Sequence, residues 1–363
     1  MLYLIIRCGY NKDGRIAKEE IEVLSTKNGE KIEADILITN DCNLGCKHCL
    51  YRNNQKKPCN MSLDVFSQLE KFFSGSDIEY HLLGGEPLCN PIFIDILEYL
   101  KKKGRYVQIL TNGRNLTDKI LLECIALKID SVGFSLEGNK TTHDVNRGDG
   151  SYDDVISSIA RCAEKNLTPK ISTCVHNKNY HAMEEMIITL SKFGIKRILF
   201  EYFVPIGEKA YEMEMLPPTE WLDFLNSIKK CNEKYGLRII AQKVFMGESS
   251  CEKKAIVPCL CTDGKYPVID SYGNYYPCIL FYAVGCSMCN ILDDKSHNWL
   301  DIQKQIADFC KKLYDSCFSA NDENGTNIHC PALLYALKNG NIDASVIRNC
   351  NNEVGCFHIV ESL

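Results

Sequence analysis

The chain has 363 residues, 45% of them hydrophobic, which is enough to bury a large core in one domain or in one domain with a smaller companion. Its 42 basic and 47 acidic residues leave a formal net charge of −5, so neither nucleic acid nor an anionic membrane is an expected partner. No apolar stretch approaches the roughly 20 residues of a membrane span, and the N-terminal sequence is too short and too soon interrupted to be a signal peptide.

Cysteine is unusually frequent, with 21 residues in the chain. In a secreted protein this number would predict a disulfide framework, but an odd count prevents complete pairing and the N-terminus lacks a secretion signal. Thiol-rich proteins that stay inside the cell more often bind metal. We therefore expect metal-bound cysteines and a reducing, low-oxygen cytoplasm.

The first predicted element is a small N-terminal unit, residues 1–34, in which Leu2–Arg7 pairs with Ile21–Ser25 as a hairpin. Short runs rich in Val, Ile and Leu then have the composition of buried parallel strands, at Asp35–Asn40, Tyr80–Leu83, Tyr106–Thr111, Ser131–Leu136, Lys170–Val175 and Arg197–Tyr202. Segments with helical periodicity separate these strands, at Ser62–Phe73, Ile92–Lys102, Asp118–Leu127, Tyr152–Lys165 and His181–Phe193.

The alternation of strands and helices over residues 35–207 predicts the α/β fold class. Each strand–helix–strand unit makes a right-handed crossover, and six such strands can curl into a partial (β/α)6 barrel of the TIM type. In barrels of this kind the chemistry takes place at the C-terminal ends of the strands. Candidate functional residues are therefore expected directly after each strand.

The pattern changes after residue 207. Residues 208–250 predict a helical linker, whose helix Pro218–Lys234 starts with prolines and has Glu220 in its first turn. Residues 251–363 are loop-rich and contain 11 of the 21 cysteines. This composition predicts a separate C-terminal domain that is rich in potential metal ligands.

Three closely spaced cysteines, Cys42, Cys46 and Cys49, follow the first strand on a loop that Gly45 allows to be tight. Thiolates at this spacing can hold three corners of a [4Fe–4S] cluster. The fourth iron would then be open to a substrate or cofactor, as the open position of a catalytic zinc is. The alternatives are a structural zinc site, with His48 as its fourth ligand, and scattered buried thiols.

Further motifs stand at the ends of later strands. They are Gly84-Gly85-Glu86-Pro87, Thr111-Asn112-Gly113, Phe134-Ser135-Leu136-Glu137-Gly138 followed by Arg147, and Val204-Pro205-Ile206-Gly207. Each motif alone also occurs in ordinary turns, but their order after the cysteine loop is more specific. Together with the cysteine spacing, residues 35–207 resemble the radical S-adenosylmethionine (SAM) superfamily.

The resemblance implies a cofactor-binding role for each motif. Gly84–Pro87 would hold the methionine amino group of SAM, because glycines let the backbone approach closely and a carboxylate accepts hydrogen bonds from an ammonium group. Thr111–Gly113 would lie on the same cofactor-binding surface. Ser135 and Arg147 would contact the ribose or carboxylate of SAM, and the backbone at Val204 would pack against the adenine.

The C-terminal cysteines resemble the SPASM domain, an extension of peptide-modifying radical SAM enzymes that carries one or two auxiliary [4Fe–4S] clusters. The match rests on the spacing Gly273-x4-Cys278 and on Cys330-Pro331, whereas the dense cysteine run of that domain is absent. The ligand sets implied are Cys259 or Cys261 with Cys278 and Cys330 for one cluster, and Cys310, Cys317, Cys350 and Cys356 for the other. The pair Cys286 and Cys289 can replace some of these ligands, and a single zinc ribbon is the alternative.

The resemblance also implies the reaction. A reduced cluster would cleave SAM to methionine and a 5′-deoxyadenosyl radical, and this radical would remove hydrogen from an unactivated C–H bond while the protein orients it and excludes water. The SPASM-like tail makes a ribosomally made precursor peptide the expected substrate, for thioether or carbon crosslinking or for epimerisation. Sulfatase maturation is disfavoured, because Ile279 stands where that class has an acidic base.

The expected partners are an electron donor such as flavodoxin or ferredoxin and a separate leader-binding protein, because residues 1–34 are too few for a winged-helix recognition unit. A tetrapyrrole of the haem pathway is the alternative substrate. A metal-binding scaffold without catalysis is the alternative function. Among the remaining cysteines, Cys89 and Cys174 are candidate hydrogen-atom donors at the barrel mouth, although structural burial is expected for most of this set.

Overall fold

The computed structural model of the protein describes residues 31–52, 57–206, 213–236, 238–241, 243–246, 264–293, 299–318 and 356–360, together with Cys261, Cys330, Ala332, Tyr335, Ala336 and Asn339. The N-terminal hairpin that the sequence predicts, Leu2–Arg7 with Ile21–Ser25, lies outside the described residues.

Parallel strands in chain order make up the central sheet, and each is hydrogen-bonded to the next. The strands are β1 (Lys31–Leu37), β2 (Asp77–Leu83), β3 (Tyr106–Thr111), β4 (Ser131–Ser135), β5 (Lys170–Val175), β6 (Arg197–Tyr202) and β7 (Arg238–Ala241). Sequential parallel neighbours joined by helices are the arrangement of right-handed βαβ units. The predicted α/β fold with a partial TIM-like barrel is confirmed.

Helices connect the strands and cover the outer face of the sheet. They are α1 (Leu63–Phe72), α2 (Phe93–Lys102), α3 (Asp118–Ala126), α4 (Lys140–Arg147), α5 (Ser151–Glu164), α6 (Met183–Ser191) and α7 (Pro218–Tyr235). In α2, Phe93, Ile96, Leu97 and Leu100 are buried at the spacing of one helical face. The core therefore lies between the helices and the outer face of the sheet.

The strands alternate between the two faces. In β3, Val107 and Ile109 are buried. Gln108 and Leu110, which alternate with them along the strand, are only half-buried and line an internal cavity. The other strands that enclose this cavity follow the same two-residue period. The inward side chains therefore decide what the cavity can bind.

The cysteine-rich region continues the sheet on the far side of β1. Strand β9 (Val268–Ile269) pairs with β1 in parallel, and β10 (Asn274–Tyr276) and β11 (Cys289–Asn290) follow as antiparallel neighbours. Helices α8 (Ile279–Ala283) and α9 (Trp299–Phe318) belong to this region, and β8 (Lys243–Met246) pairs with β12 (Cys356–Val360) in a separate ribbon. Cys278, which follows β10, and Cys289, which lies in β11, are thereby held on the part of the sheet that continues from the first strand of the barrel.

Several elements differ from the sequence prediction. Strands β1 and β2 begin at Lys31 and Asp77 rather than at Asp35 and Tyr80. Helix α4 was not predicted, β7 adds a parallel strand within the segment predicted as a helical linker, and the segment predicted as loop-rich contains α9. The domain boundaries at residues 34, 207 and 250 stay a prediction. Within the described residues, no helix has both the length and the apolar character that crossing a membrane requires.

Candidate active site

The cysteine loop after β1 rests directly on the backbone of Gly84 and Gly85. The amide of Gly85 donates to the carbonyl of Thr39 at 2.8 Å, and the amide of Glu86 donates to the carbonyl of Asp41 at 2.8 Å. A Cβ atom would lie 2.3 Å from the Thr39 oxygen at position 84 and 2.1 Å from the Asp41 oxygen at position 85. Gly84 also has a φ of +146°, in the region that favours glycine. Only glycine lets the loop lie this close to the end of β2.

Glu86 fastens the end of β2 to the end of β3. Its carboxylate is 1% exposed, and Oε1 accepts hydrogen bonds from the Thr111 hydroxyl at 2.6 Å and from the Leu88 amide at 3.2 Å. Oε2 accepts from the amide of Asn112 at 2.8 Å. Burial raises the pKa of Glu86, although these donors oppose the shift. Glu86 therefore braces the site here, and its predicted contact with the ammonium group of SAM stays a prediction.

All three cysteines of the loop line the internal cavity. Cys46 is buried, and Cys42 and Cys49 are half-buried. Burial raises the pKa of Cys42 to about 12, and the neighbouring Cys46 and Cys49 add to this shift. Three thiolates that face one cavity repel one another unless a cation lies between them, which is the environment that an iron cluster would supply. The donor set fits three corners of a [4Fe–4S] cluster.

A buried pair of opposite charges, Glu137 and Arg147, stands behind this loop. Two nitrogens of the Arg147 guanidinium donate to Oε1 of Glu137, Nη2 at 2.6 Å and Nε at 3.1 Å. The third nitrogen, Nη1, points to Sγ of Cys46 at 3.7 Å. The amide of Cys174 donates to Oε2 of Glu137 at 3.0 Å. Arg147 therefore bridges a fully buried carboxylate and one cysteine of the loop.

The charges of this pair stabilise each other. Burial alone would raise the pKa of Glu137, but the Arg147 guanidinium holds it below its ordinary value. Burial likewise works against the charge of Arg147, yet Cys46 and Glu137 raise its pKa overall. Nε2 of His48 lies 3.5 Å from the Glu137 carboxylate, so this histidine faces the pair, which weakens its candidacy as a fourth zinc ligand.

Three buried histidines surround the pair and remain neutral. Burial lowers the pKa of His143 to about 3, of His176 to about 4 and of His48 in the same direction. Nδ1 of His143 accepts a hydrogen bond from the amide of Glu137 at 3.1 Å. Neutral histidines leave Arg147 as the positive charge beside the carboxylate.

The cavity has a volume of about 330 Å³, in the range of small-molecule sites. Of the residues predicted to bind SAM, those that line it are Gly84, Gly85, Glu86, Thr111, Asn112, Ser135, Arg147 and Val204. Pro87 is buried behind it and begins the short turn Pro87–Cys89. The structure thus brings the predicted residues together with the cysteine loop, and their contacts with SAM stay a prediction.

Cysteines of the tail reach the same cavity. Cys261, Cys278 and Cys330 line it, although they come from distant parts of the chain. Farther out, burial raises the pKa of Cys286, and Cys310 adds to the shift. The side chains of the other predicted ligands lie outside the described residues: Cys259, Cys317, Cys350 and Cys356. No disulfide joins the cysteines of the described part of the chain.

Sequence reasoning did not select Glu137, His143 or His176 as site residues. Glu137 could have been noticed as an acidic residue two positions after Ser135, just past the end of β4. The amino-acid sequence does not show, however, that it pairs with Arg147. Cys174, one candidate hydrogen donor, does line the cavity, and burial raises the pKa of its thiol. Cys89, the other candidate, is half-buried, and its sulfur accepts a hydrogen bond from Asn115 at 3.4 Å.

Part of the chain is similar in sequence to known proteins. Residues 36–190 match the family described as the radical SAM superfamily. The mycofactocin maturase MftC of Mycolicibacterium smegmatis is 27% identical over 189 residues, which are 50% of this chain and 47% of that protein. The GTP 3′,8-cyclase of Clostridium perfringens is 28% identical over 308 residues, 80% of this chain and 93% of that one.

The fold is also similar to that of the crystal structure of Streptococcus suis SuiB bound to its precursor peptide SuiA. The TM-score is 0.64 at 14% sequence identity, and the match covers 76% of this chain and 66% of SuiB. An identity this low shows a common fold only. The chain spans about half the length of the maturase MftC.

Proposed function

From the premise that the chain carries a radical SAM domain, we propose that it cleaves SAM reductively at a [4Fe–4S] cluster held by Cys42, Cys46 and Cys49, and modifies a peptide. The observation that carries this proposal is the convergence of the cysteine loop, the Gly84–Gly85 platform and Arg147 at one cavity. A scaffold that merely stores metal has no need of such a pocket.

When bound, the cluster and SAM together supply an electron and a 5′-deoxyadenosyl radical that removes hydrogen from a C–H bond. The chain's own residues have different tasks. Gly84 and Gly85 hold the cysteine loop at the cavity wall, and Glu86 keeps the ends of β2 and β3 together around it. Arg147, fixed by Glu137, places a positive charge beside Cys46 and within reach of an anionic group in the cavity.

Two auxiliary [4Fe–4S] clusters belong to the proposal. Cys261, Cys278 and Cys330, with Cys259, would hold the inner one, and its support is that the three described thiols line the cavity. Cys310, Cys317, Cys350 and Cys356 would hold the outer one. The effect of Cys310 on the pKa of Cys286 favours an outer set in which Cys286 takes part.

We assign a ribosomally made precursor peptide as the substrate class. Two observations support it: the relative MftC is a maturase, and SuiB, which shares this fold, binds a precursor peptide. The cavity of about 330 Å³ would have to hold SAM as well, so most of the peptide would lie outside it. An electron donor such as flavodoxin or ferredoxin, a separate leader-binding protein and a reducing cytoplasm complete the proposal.

The test is the formation of 5′-deoxyadenosine from SAM, under dithionite and without oxygen. The wild type should form it, and the Cys46→Ala variant should form none above background. Cys162→Ala is the matched control, because Cys162 is equally buried but lies on α5 outside the cavity. A wild type that forms no 5′-deoxyadenosine after iron reconstitution, or a C46A variant that forms it normally, would contradict the proposal.

A nucleotide substrate is the second candidate, and one observation favours it. The GTP 3′,8-cyclase of Clostridium perfringens matches over 93% of its length, more than MftC does. Incubation of the reconstituted chain with SAM and GTP, followed by mass spectrometry, separates the candidates. A GTP-derived product would favour a nucleotide as the substrate. Unchanged GTP together with continuing SAM cleavage would favour a peptide.

A further inference from the structure

Two basic side chains face the lower part of the cavity, far from the cysteine loop. Lys170 begins β5 and Arg197 begins β6, and the two residues are direct partners in the parallel register. Both line the cavity. Arg197 stands five residues before Tyr202 at the other end of β6, which is about 16 Å along the strand. The basic pair therefore forms a separate region of the cavity wall.

Arg197 lacks the acceptor that its charge requires. Its Nε is buried without a hydrogen-bond partner, and within the described residues no carboxylate forms an ion pair with its guanidinium. A guanidinium has five N–H donors and no acceptor, and an unpaired donor removed from water is destabilising. Next to it, Nζ of Lys170 donates to the neutral amide oxygen of Gln108 at 2.7 Å. Both side chains thus face the cavity, and Arg197 brings to it a buried donor that has no acceptor among the described residues.

The acidic residues on the other side of the barrel have partners of their own. Glu79 forms an ion pair with Lys31 at 2.7 Å, and Asp35 contacts Nδ1 of His81 at 3.1 Å. These contacts hold the carboxylates on β1 and β2, at the opposite end of the strand order from β5 and β6. They do not supply the acceptor that Arg197 lacks.

We propose that Lys170 and Arg197 bind a carboxylate group of the substrate. That this carboxylate belongs to a peptide rests on the function proposed above. An arginine fork matches the two oxygens of a carboxylate, and a neighbouring ammonium adds a second charge-assisted hydrogen bond. Gly133, the partner of Lys170 on β4, also lines the cavity.

The charge balance of the cavity favours a singly charged anion. Glu33, Asp35 and Glu201 line the same cavity, so a doubly charged phosphate would meet more repulsion than a carboxylate would. The carboxylate can be an aspartate or glutamate side chain or the C-terminus of a peptide, because both present the same two oxygens. In either case it anchors the substrate at a distance from the reacting C–H bond, and thus sets which residue reaches the cysteine loop.

Equilibrium dialysis of the full chain, reconstituted without oxygen, tests this subsite with four radiolabelled probes. Acetylglutamic acid α-amide carries a side-chain carboxylate, and acetylnorvaline carries a chain-terminal one. Acetylglutamine amide is the neutral isostere, and inorganic phosphate represents a nucleotide. The wild type should bind one of the two carboxylates at least about tenfold more tightly than the neutral isostere, and the preferred one identifies the source.

The variants Arg197→Gln and Lys170→Gln should each abolish this preference, and Arg197→Lys should keep only part of it, because it retains the charge without the fork. Lys196→Gln is the matched control: it removes one positive charge from the next position in the chain, but Lys196 is exposed and outside the cavity. This control should keep the full preference. The conservative variant R197K shows whether a loss of binding in R197Q comes from the missing guanidinium or from a folding defect.

The subsite is wrong if the wild type shows no preference, if R197Q keeps it, or if phosphate binds more tightly than both carboxylates. Formation of 5′-deoxyadenosine by the same wild-type preparation reports on the proposed function separately. If the protein prefers the carboxylate but does not cleave SAM, the proposed function is wrong and the proposed subsite is supported. If it cleaves SAM but shows no carboxylate preference, the subsite is wrong and the function is supported.

Discussion

At the residue scale, Arg147 joins two features of the site that the chain brings from different elements. Its guanidinium is held by Glu137 at the end of β4 and reaches Cys46 in the loop after β1. Because the carboxylate is fully buried, water does not screen the pair. The position of the positive charge beside the cysteine loop is thus set by Glu137, which acts as a positioning residue.

Replacing Arg147 by lysine tests this role. Lysine keeps the charge but loses the planar guanidinium, whose separate nitrogens donate twice to Glu137 and point to Cys46, so we expect 5′-deoxyadenosine formation to fall by about 10- to 100-fold, the range for residues that support metal ligands. The midpoint potential of the site-bound cluster, followed by electron paramagnetic resonance, should shift as well. Arg161→Lys on α5, outside the cavity, is the control. Wild-type rates and potential in R147K would contradict this role.

The buried neutral histidines predict how stability depends on pH. The pKa of His143 is lowered to about 3 and that of His176 to about 4 in the folded chain, mainly by burial, whereas the unfolded chain takes up these protons near pH 6.5. Between these values the unfolded chain binds more protons, so stability falls as pH falls below about 6.5. The loss at pH 5.5 should be roughly 1 kcal/mol for each histidine.

Urea unfolding of the metal-free chain at pH 7.5 and 5.5, followed by circular dichroism, measures this effect. His143→Gln should reduce the difference between the two pH values, while His181→Gln, at an exposed position, should leave it unchanged. Equal stability of the wild type at both pH values would show that the buried histidines are not kept neutral.

At the element scale, the repeated strands were predictable because their apolar runs are short and regular. The predicted bounds of β3, β5 and β6 agree with the structure residue for residue. Helix α4 was missed because the side chains it buries, His143 and Asn146, are polar and give no apolar period. It starts instead from a local cap, in which the Asn139 side chain accepts from the amide of Thr142 at 3.1 Å.

The candidate site was predictable where its residues are close together in the amino-acid sequence. The cysteine spacing and the glycine pair are local patterns, and the structure brings both to one cavity. The partners of Glu86 and Arg147 were not predictable, because they depend on which strand ends and helices meet in three dimensions. Sequence suggested that both residues bind SAM, whereas the structure shows Glu86 braced by β3 and Arg147 paired with Glu137.

Gly85 offers a test of how β2 supports the cysteine loop. In Gly85→Ala the new Cβ would lie 2.1 Å from the carbonyl oxygen of Asp41, so the loop must move away from the end of β2. We expect the reconstituted variant to lose about four irons per chain, with a thermal midpoint below that of the wild type. Gly104→Ala is the control, because Gly104 has a φ of +71° and open space around it, and its cost is conformational only, about 1 kcal/mol. Normal iron content in G85A would show that the close approach is dispensable.

At the scale of the whole molecule, residues of the barrel and residues of the tail line the same cavity. Strands β9 to β11 extend the sheet past β1, and this places Cys261, Cys278 and Cys330 on the cavity wall. Tyr282 of α8 donates to the backbone carbonyl of Tyr51, two residues after Cys49, at 3.1 Å. The loop with the three clustered cysteines and the tail are therefore in direct contact.

The iron and sulfide content of the chain after anaerobic reconstitution tests the central claim most directly, because it counts the clusters and shows which cysteines hold them. We predict about twelve irons in the wild type and about eight in the Cys42→Ala, Cys46→Ala, Cys49→Ala triple variant. A second triple variant, with alanine at 261, 278 and 330, should also hold about eight but still form 5′-deoxyadenosine. A wild type that holds zinc and little iron, or a loop variant that loses none, would contradict the claim that this cysteine loop carries the catalytic cluster.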